Sequence, residues 1–301
     1  MLLAAAALAL VLLLLAVVAP PRLAAAAWPV RAPSYALVLW QALGLAGGVL
    51  AVEVAVTVAL APLGRSHPLA AAALLDGAPL PWWSVTALLV GAAVFGRLLL
   101  VLVRSATTTL RARHAHRVLV DLVATRNPLL AGTRVVDHDL PLAYCLPGLR
   151  PRVVVSRGVL DLLRDDEVRA VLAHETAHVE QRHDLVVLPF VALGATFPRL
   201  PAVRTAQAQV ALLVEMLADD RATRQHPPTV LARALCKVGA ARVPDGGVGA
   251  ATSTSGVQTR ASRLVSPADP LPAAGRALVL LAAVVVLLVP VLGVVLPAAV
   301  A

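Results

Sequence analysis

Apolar runs organise the chain. Four of them, Leu2 to Val18, Leu37 to Leu60, Val85 to Val103 and Ala277 to Leu296, are long and apolar enough to predict membrane-spanning helices. Between the third and fourth the pattern becomes mixed. Val118 to Thr125 continues a helix from the third run, and the β-branched segments Arg134 to Asp137 and Arg152 to Val155, bounded by Pro and Gly, predict short strands. Short helices are predicted over Ser156 to Leu163 and Asp166 to Arg182, and a longer one over Ala202 to Arg224. The segment Leu185 to Phe197 is apolar but short and broken by Pro189 and Gly194, so it predicts a buried or membrane-surface segment rather than a span. The Gly- and Ser-rich stretch from Val243 to Gly256 predicts a mobile loop or linker. There is no internal repeat.

Composition sharpens this reading. With 59% hydrophobic residues, 14% charged residues and a mean hydropathy of +0.83, the 301-residue chain is too apolar for an ordinary soluble protein. Arginine sets an orientation. Arg104, Arg111, Arg113 and Arg117 follow the third run and Arg22 and Arg31 follow the first, whereas the loop after the second has Arg65 against Asp76. Both termini are therefore expected outside and the residues between Arg104 and Arg276 in the cytoplasm. Trp28, Trp40, Trp82 and Trp83 sit near the predicted membrane entries, where indole rings favour the headgroup layer. The expected organisation is three spans in 1–103, a cytoplasmic domain in 104–276 and a last span in 277–301. The first run is expected as a retained helix; a cleaved leader is the alternative, but no positive residue precedes its apolar core.

The chemistry concentrates in His174-Glu175-Thr176-Ala177-His178. On a helix, residues four apart share a face, so His174 and His178 can hold one zinc ion, with Glu175 beside it as general base. Asp165, Asp166 and Glu167 supply carboxylates for the first turn of that helix. Glu215 and Asp219, also four apart, lie in the apolar run Leu213 to Ala218, where acids need partners. Glu215 is expected as third metal ligand, leaving a fourth position to water. Asp219 is expected to accept a hydrogen bond from the outer nitrogen of a ligand histidine and fix its tautomer.

These motifs, with Tyr144 to Ser156 and Asp166 to Ala173 before them, resemble the BlaR/MecR-type integral membrane metallopeptidases, and HtpX-type membrane peptidases are similar in the same core. The resemblance covers roughly Arg104 to Arg263. It implies a mainly α membrane protein with about four transmembrane helices and a cytoplasmic α+β zincin-like domain with a small sheet. It also implies one zinc ion per chain and cleavage of cytosolic proteins beside the plasma membrane, notably winged-helix transcriptional repressors. Sensor members carry a penicillin-binding domain after the last span; this chain ends at Ala301, and β-lactam sensing is not expected. The alternatives are HtpX-like quality control of membrane proteins and a non-catalytic metal-binding sensor or scaffold.

Other features are assigned lesser roles. The net charge of +9, almost wholly arginine, is expected to meet anionic lipid headgroups rather than nucleic acid. His114 and His116 lack neighbouring ligands and predict a solvated juxtamembrane helix. Cys145 and Cys236 form no disulfide framework; Cys145 is expected as a small buried residue. His183 falls half a turn off the ligand face of a continuing helix, which predicts a place behind the ligands or at the surface. Glu53, inside the second span, is either a functional group or a helix-packing contact. Arg97 can snorkel. Arg221, His226 and Tyr144 are candidates to stabilise an oxyanion.

Overall fold

A computed structural model describes residues 1–64, 66–126, 133–146, 152–241 and 248–295. Helices come first: α1 (Leu2–Leu13), which runs through a π-helical segment (Leu14–Val18) into α2 (Ala19–Ala25), then α3 (Trp28–Arg31), α4 (Pro33–Leu60), α5 (His67–Leu75) and the long α6 (Trp82–Val123). Four strands follow, β1 (Thr125–Arg126), β2 (Thr133–Val136), β3 (Ala143–Leu146) and β4 (Arg152–Ser156). The remainder is helical: α7 (Arg157–Leu162), α8 (Asp165–Glu180), α9 (His183–Thr196), α10 (Pro201–Ala222), α11 (Pro228–Ala241), α12 (Val248–Val265) and α13 (Ala273–Val295).

Contacts divide the chain into two units, 1–105 with 188–210 and 271–301, and 106–187 with 211–270. The expected boundaries differ from these mainly in 188–210, which sequence pattern leaves with the second unit. In the first unit α1, α4 and α13 pack together, burying Ala36, Trp40, Ala46, Leu50 and Ala59. Gln207 Nε2 donates to the Phe190 carbonyl at 3.0 Å and ties the second halves of α9 and the start of α10 to each other. Among the described residues, four helices are long and apolar enough to cross a membrane: Leu2–Ala25, Pro33–Leu63, Trp82–Leu122 and Ala273–Val294. Their outer faces expose Leu89, Phe95, Leu100, Leu278, Val284 and Leu288. Apolar surface of this extent suits lipid rather than water.

The second unit is built on a four-stranded sheet of order β1-β2-β4-β3. β1 and β2 are antiparallel, β2 and β4 parallel, and β4 and β3 antiparallel, with Tyr144 opposite Val154. β3 thus forms one edge, and α8 packs against it. Ser156 ends β4 and starts α7 by accepting from the Val159 N–H at 3.2 Å. Glu167 closes the first turn of α8, accepting from the Arg164 N–H at 3.0 Å and from Lys237 Nζ at 2.7 Å.

Two apolar clusters fix α8. Val168 and Val171 pack with Val159, Leu163 and Ala234, while Ala170 packs with Ala222, Leu231 and Leu264. Each fully buried Val or Leu contributes about 1.5–3 kcal/mol relative to exposure. The expected loop over Val243 to Gly256 is corrected in part: 248–256 is helical, within α12, while 243–247 lies outside the described residues. The small residues there do not break the helix because its second half is held by packing and ion pairs. Leu264 is buried, and Arg263 binds both oxygens of Asp220 at 2.6 and 2.9 Å.

Candidate metal centre

Two helices supply the site. α8 presents His174 and His178, one turn apart, and α10 presents Glu215 and Asp219, also one turn apart. His174 Nε2 lies 3.1 Å from His178 Nε2 and 3.3 Å from Glu215 Oε2, and His178 Nε2 lies 3.5 Å from Glu215 Oε1. One ligand atom from each of the three residues falls within 4.8 Å of the others. Metal–ligand distances of about 2.0–2.1 Å put the corners of a tetrahedral zinc site roughly 3.3–3.4 Å apart. The donor set and its spacing therefore fit a zinc ion.

The outer nitrogens decide which lone pairs face inward. His174 Nδ1 lies 2.9 Å from Asp219 Oδ1, and an ionised carboxylate can only accept. With one hydrogen on Nδ1, beside that carboxylate though not in line for a hydrogen bond, neutral His174 would turn its Nε2 lone pair inward. For His178 the backing is another imidazole. His183 Nε2 lies 3.1 Å from the side-chain amide oxygen Oε1 of Gln181, so with that nitrogen bearing the hydrogen His183 Nδ1 accepts from His178 Nδ1–H at 3.0 Å. The His178 Nε2 lone pair then also faces the centre. Once both rings are neutral, two nitrogens 3.1 Å apart beside a carboxylate would make a site that attracts a cation.

Charge balance agrees. Burial disfavours a charge on His174, but the Asp219 and Glu215 carboxylates override it and raise its pKa to about 9. Burial holds His178 down to about 4. The Glu215 and Asp219 carboxyls lie at about 2; burial opposes this, and His174 and Arg260 outweigh it. Without a metal the acids thus keep a proton on His174, which a divalent ion would displace.

Arg260 of α12 was not anticipated from sequence. Its Nε and Nη2 grip Asp219 Oδ2 and Oδ1 at 2.8 and 2.7 Å, and its Nη1 meets Glu215 Oε2 at 2.7 Å. The guanidinium is 7% exposed and its Nη2 comes within 3.4 Å of His174 Nε2. The only sequence signal was helical spacing to Arg263 and Leu264, hidden behind a Gly- and Ser-rich approach.

A continuing helix would place His183 off the ligand face. α8 instead ends at Glu180, and Arg182 takes a left-handed φ of 49°, which returns the His183 ring to His178. Glu175 is half-buried, and its charge acts on both Cys145 and Arg260. Burial, then Glu175, pushes the Cys145 thiol up to about 12, so it remains a thiol.

The three oxyanion candidates are not gathered at the metal ligands. Arg221 binds Glu180 Oε2 through Nε and Nη2 at 3.0 and 2.9 Å, and the Tyr144 hydroxyl meets His116 Nε2 at 2.9 Å. No side-chain contact ties His226 to the ligands among the described residues. Nor is the Arg111 to Arg117 segment merely solvated. Arg113 binds Asp184 at 2.6 Å.

Two curated proteins resemble part of this chain. A protein named Protease HtpX homolog from Aeropyrum pernix is 43% identical over 72 residues, 23% of this chain and 23% of its own length. A protein of the same name from Methanothermobacter thermautotrophicus is 37% identical over 60 residues, 19% of this chain and 23% of its own. The chain thus spans about a quarter of the length of the curated relatives it matches. No solved structure matches it. The metal-ligand geometry and these relatives converge on one description: residues 109–228, which carry His174, Glu175, His178, Glu215 and Asp219, match peptidase family M48, a family of metallopeptidases.

Proposed function

We propose that the chain is a membrane-embedded, zinc-dependent metalloendopeptidase that hydrolyses peptide bonds in protein substrates, with His174, His178 and Glu215 as metal ligands and Glu175 as general base. The observation that carries this reading is the convergence of three ligand atoms from α8 and α10. When bound, zinc supplies an acidified water and polarises the scissile carbonyl. Glu175 takes the proton of the attacking water and returns it to the leaving amine. Asp219 and His183 hold the two ligand rings in the required tautomers, and Arg260 balances the charge of Glu215 and Asp219. The edge strand β3, packed on α8, offers main-chain groups to an extended substrate segment.

The HtpX-type assignment is favoured over the BlaR/MecR type by the two relatives. Repressor cleavage lacks such an observation. We further propose that the unit carrying the site faces the cytoplasm at the plasma membrane, because Arg104, Arg111, Arg113 and Arg117 follow the third span.

The test is Glu175→Gln in the full chain. Zinc content is expected to remain at one per chain, while cleavage of a casein-type unfolded substrate falls by about 10²–10⁴-fold. New protein N-termini found only in cells with the wild type would name its substrates. An unchanged cleavage rate in Glu175→Gln would overturn the mechanism, and absence of bound zinc in the wild type would overturn the metal assignment.

A further inference from the structure

The first unit contains a buried polar group that peptide hydrolysis does not use. Glu53 of α4 is 7% exposed, and neither carboxylate oxygen has a hydrogen-bond partner among the described residues. Its carboxyl is seated against α13 at Gly293, where a Cβ would collide with Glu53 Oε1. One turn along α4, the Thr57 hydroxyl donates to the Glu53 main-chain carbonyl at 2.8 Å. A hydroxyl has one hydrogen, so its 2.9 Å contact with His67 Nε2 must be accepted, with the hydrogen on Nε2. His67 Nδ1 is buried with no well-aligned hydrogen bond among the described residues. Burial pushes the His67 imidazole down, with the Val294 carbonyl acting the other way. The cluster thus leaves both carboxyl oxygens, Glu53 Oε1 and Oε2, without a donor among the described residues.

No described cation answers them. α1 has no charged residue, and on α13 only Arg276 is charged, at the end opposite Gly293. α5 brings only His67, with Asp76 beyond its far end. α6 approaches α4 at Gly91, and its nearest ionisable residue, Arg97, donates to the Thr196 carbonyl at 3.4 Å. Tyr35, in the first turn of α4, and Arg31, before it, lie about 27 Å or more from Glu53 along the helix axis. Arg65 lies outside the described residues. A bare carboxylate inside an apolar bundle is strongly disfavoured.

We infer that Glu53, Thr57 and His67 form a proton-binding site in the helical bundle, with Glu53 held as the neutral acid against Gly293. One proton removes the charge and converts an acceptor into a donor. Loss of that proton puts a charge between α4 and α13 and loosens their contact, so the bundle weakens as pH rises.

Infrared difference spectroscopy on the full chain in lipid bilayers, wild type minus Glu53→Gln near neutral pH, tests this directly. The expected difference is the carbonyl band of a protonated carboxylic acid; a carboxylate band in its place overturns the inference. Thermal unfolding gives a second readout. With zinc bound, the wild type is expected to lose melting temperature from neutral to alkaline pH, and Glu53→Gln to lose clearly less. A Glu53→Gln protein that melts below wild type at every pH would mean an ionised, cation-paired Glu53, and would also overturn it. Zinc content is expected to be equal in both proteins, so the outcome is separate from that of the peptidase reading.

Discussion

Asp219 and Glu53 are both buried acids, 0% and 7% exposed, yet their surroundings are opposite. Asp219 is gripped by two Arg260 nitrogens and faces the His174 ring, so ionisation is matched by fixed positive charge and hydrogen bonds. Glu53 has apolar helices around it and no described partner. A buried carboxyl can be neutralised by an ion pair or by a proton, and the neighbours decide which. In the readings proposed above, the first solution orients ligands for a metal and the second makes helix packing depend on pH.

Removing the guanidinium should break this contrast most strongly. Arg260→Met leaves buried Asp219 and partly exposed Glu215 without their counter-charge, and breaking the buried pair with Asp219 costs about 3 to 5 kcal/mol. Chemical denaturation of the metal-free variant should show that loss, and zinc should restore part of it by occupying the site.

A smaller effect is expected behind His178. His183→Phe removes the acceptor for His178 Nδ1–H, which should weaken zinc binding by about 10–100-fold in a chelator competition. His183→Asn, which keeps an acceptor, should recover much of it. Equal zinc affinity in all three proteins would refute the tautomer assignment.

The pH profile of the metal-free protein sharpens the comparison further. Asp219 and Glu215 fall from ordinary values of 3.8 and 4.5 to about 2, so their contribution is present above those values and is lost as pH falls through about 2. His174 rises from 6.5 to about 9, so its contribution is complete below 6.5 and is lost as pH rises through about 9. Melting curves across pH should therefore weaken at both ends, and His174→Gln should lose the alkaline part assigned to that residue.

The smallest change belongs to a surface pair. Arg221 and Glu180 keep 39% and 47% side-chain exposure, so Arg221→Ala should alter stability by only about 0 to 1 kcal/mol. A large loss of activity in this variant, with zinc retained, would reopen its role as an oxyanion partner.

Much of this was legible in local pattern. The four long apolar helices and the helix around His174 follow from continuous hydropathy and from residues spaced one turn apart. The strands at Thr133–Val136 and Arg152–Ser156 follow from β-branched runs between breakers. Arg260 was not legible, because its importance comes from contacts with residues 41 positions earlier in the chain. His183 was ambiguous because one left-handed residue, Arg182, ends the helix that the spacing assumed. Arg221 and Tyr144 looked available in sequence, but folding commits them to Glu180 and His116.

The sequence by itself determined where the apolar helices run and which residues of α8 and α10 share a face, because hydropathy and helical period are properties of neighbouring residues. Only the tertiary structure decided that these faces meet, that Arg260 stands behind the acids and His183 behind His178, and that Glu53 has no described partner. Each of those outcomes depends on groups far apart in the chain, whose charges and hydrogen bonds acquire meaning only when packing excludes water around them.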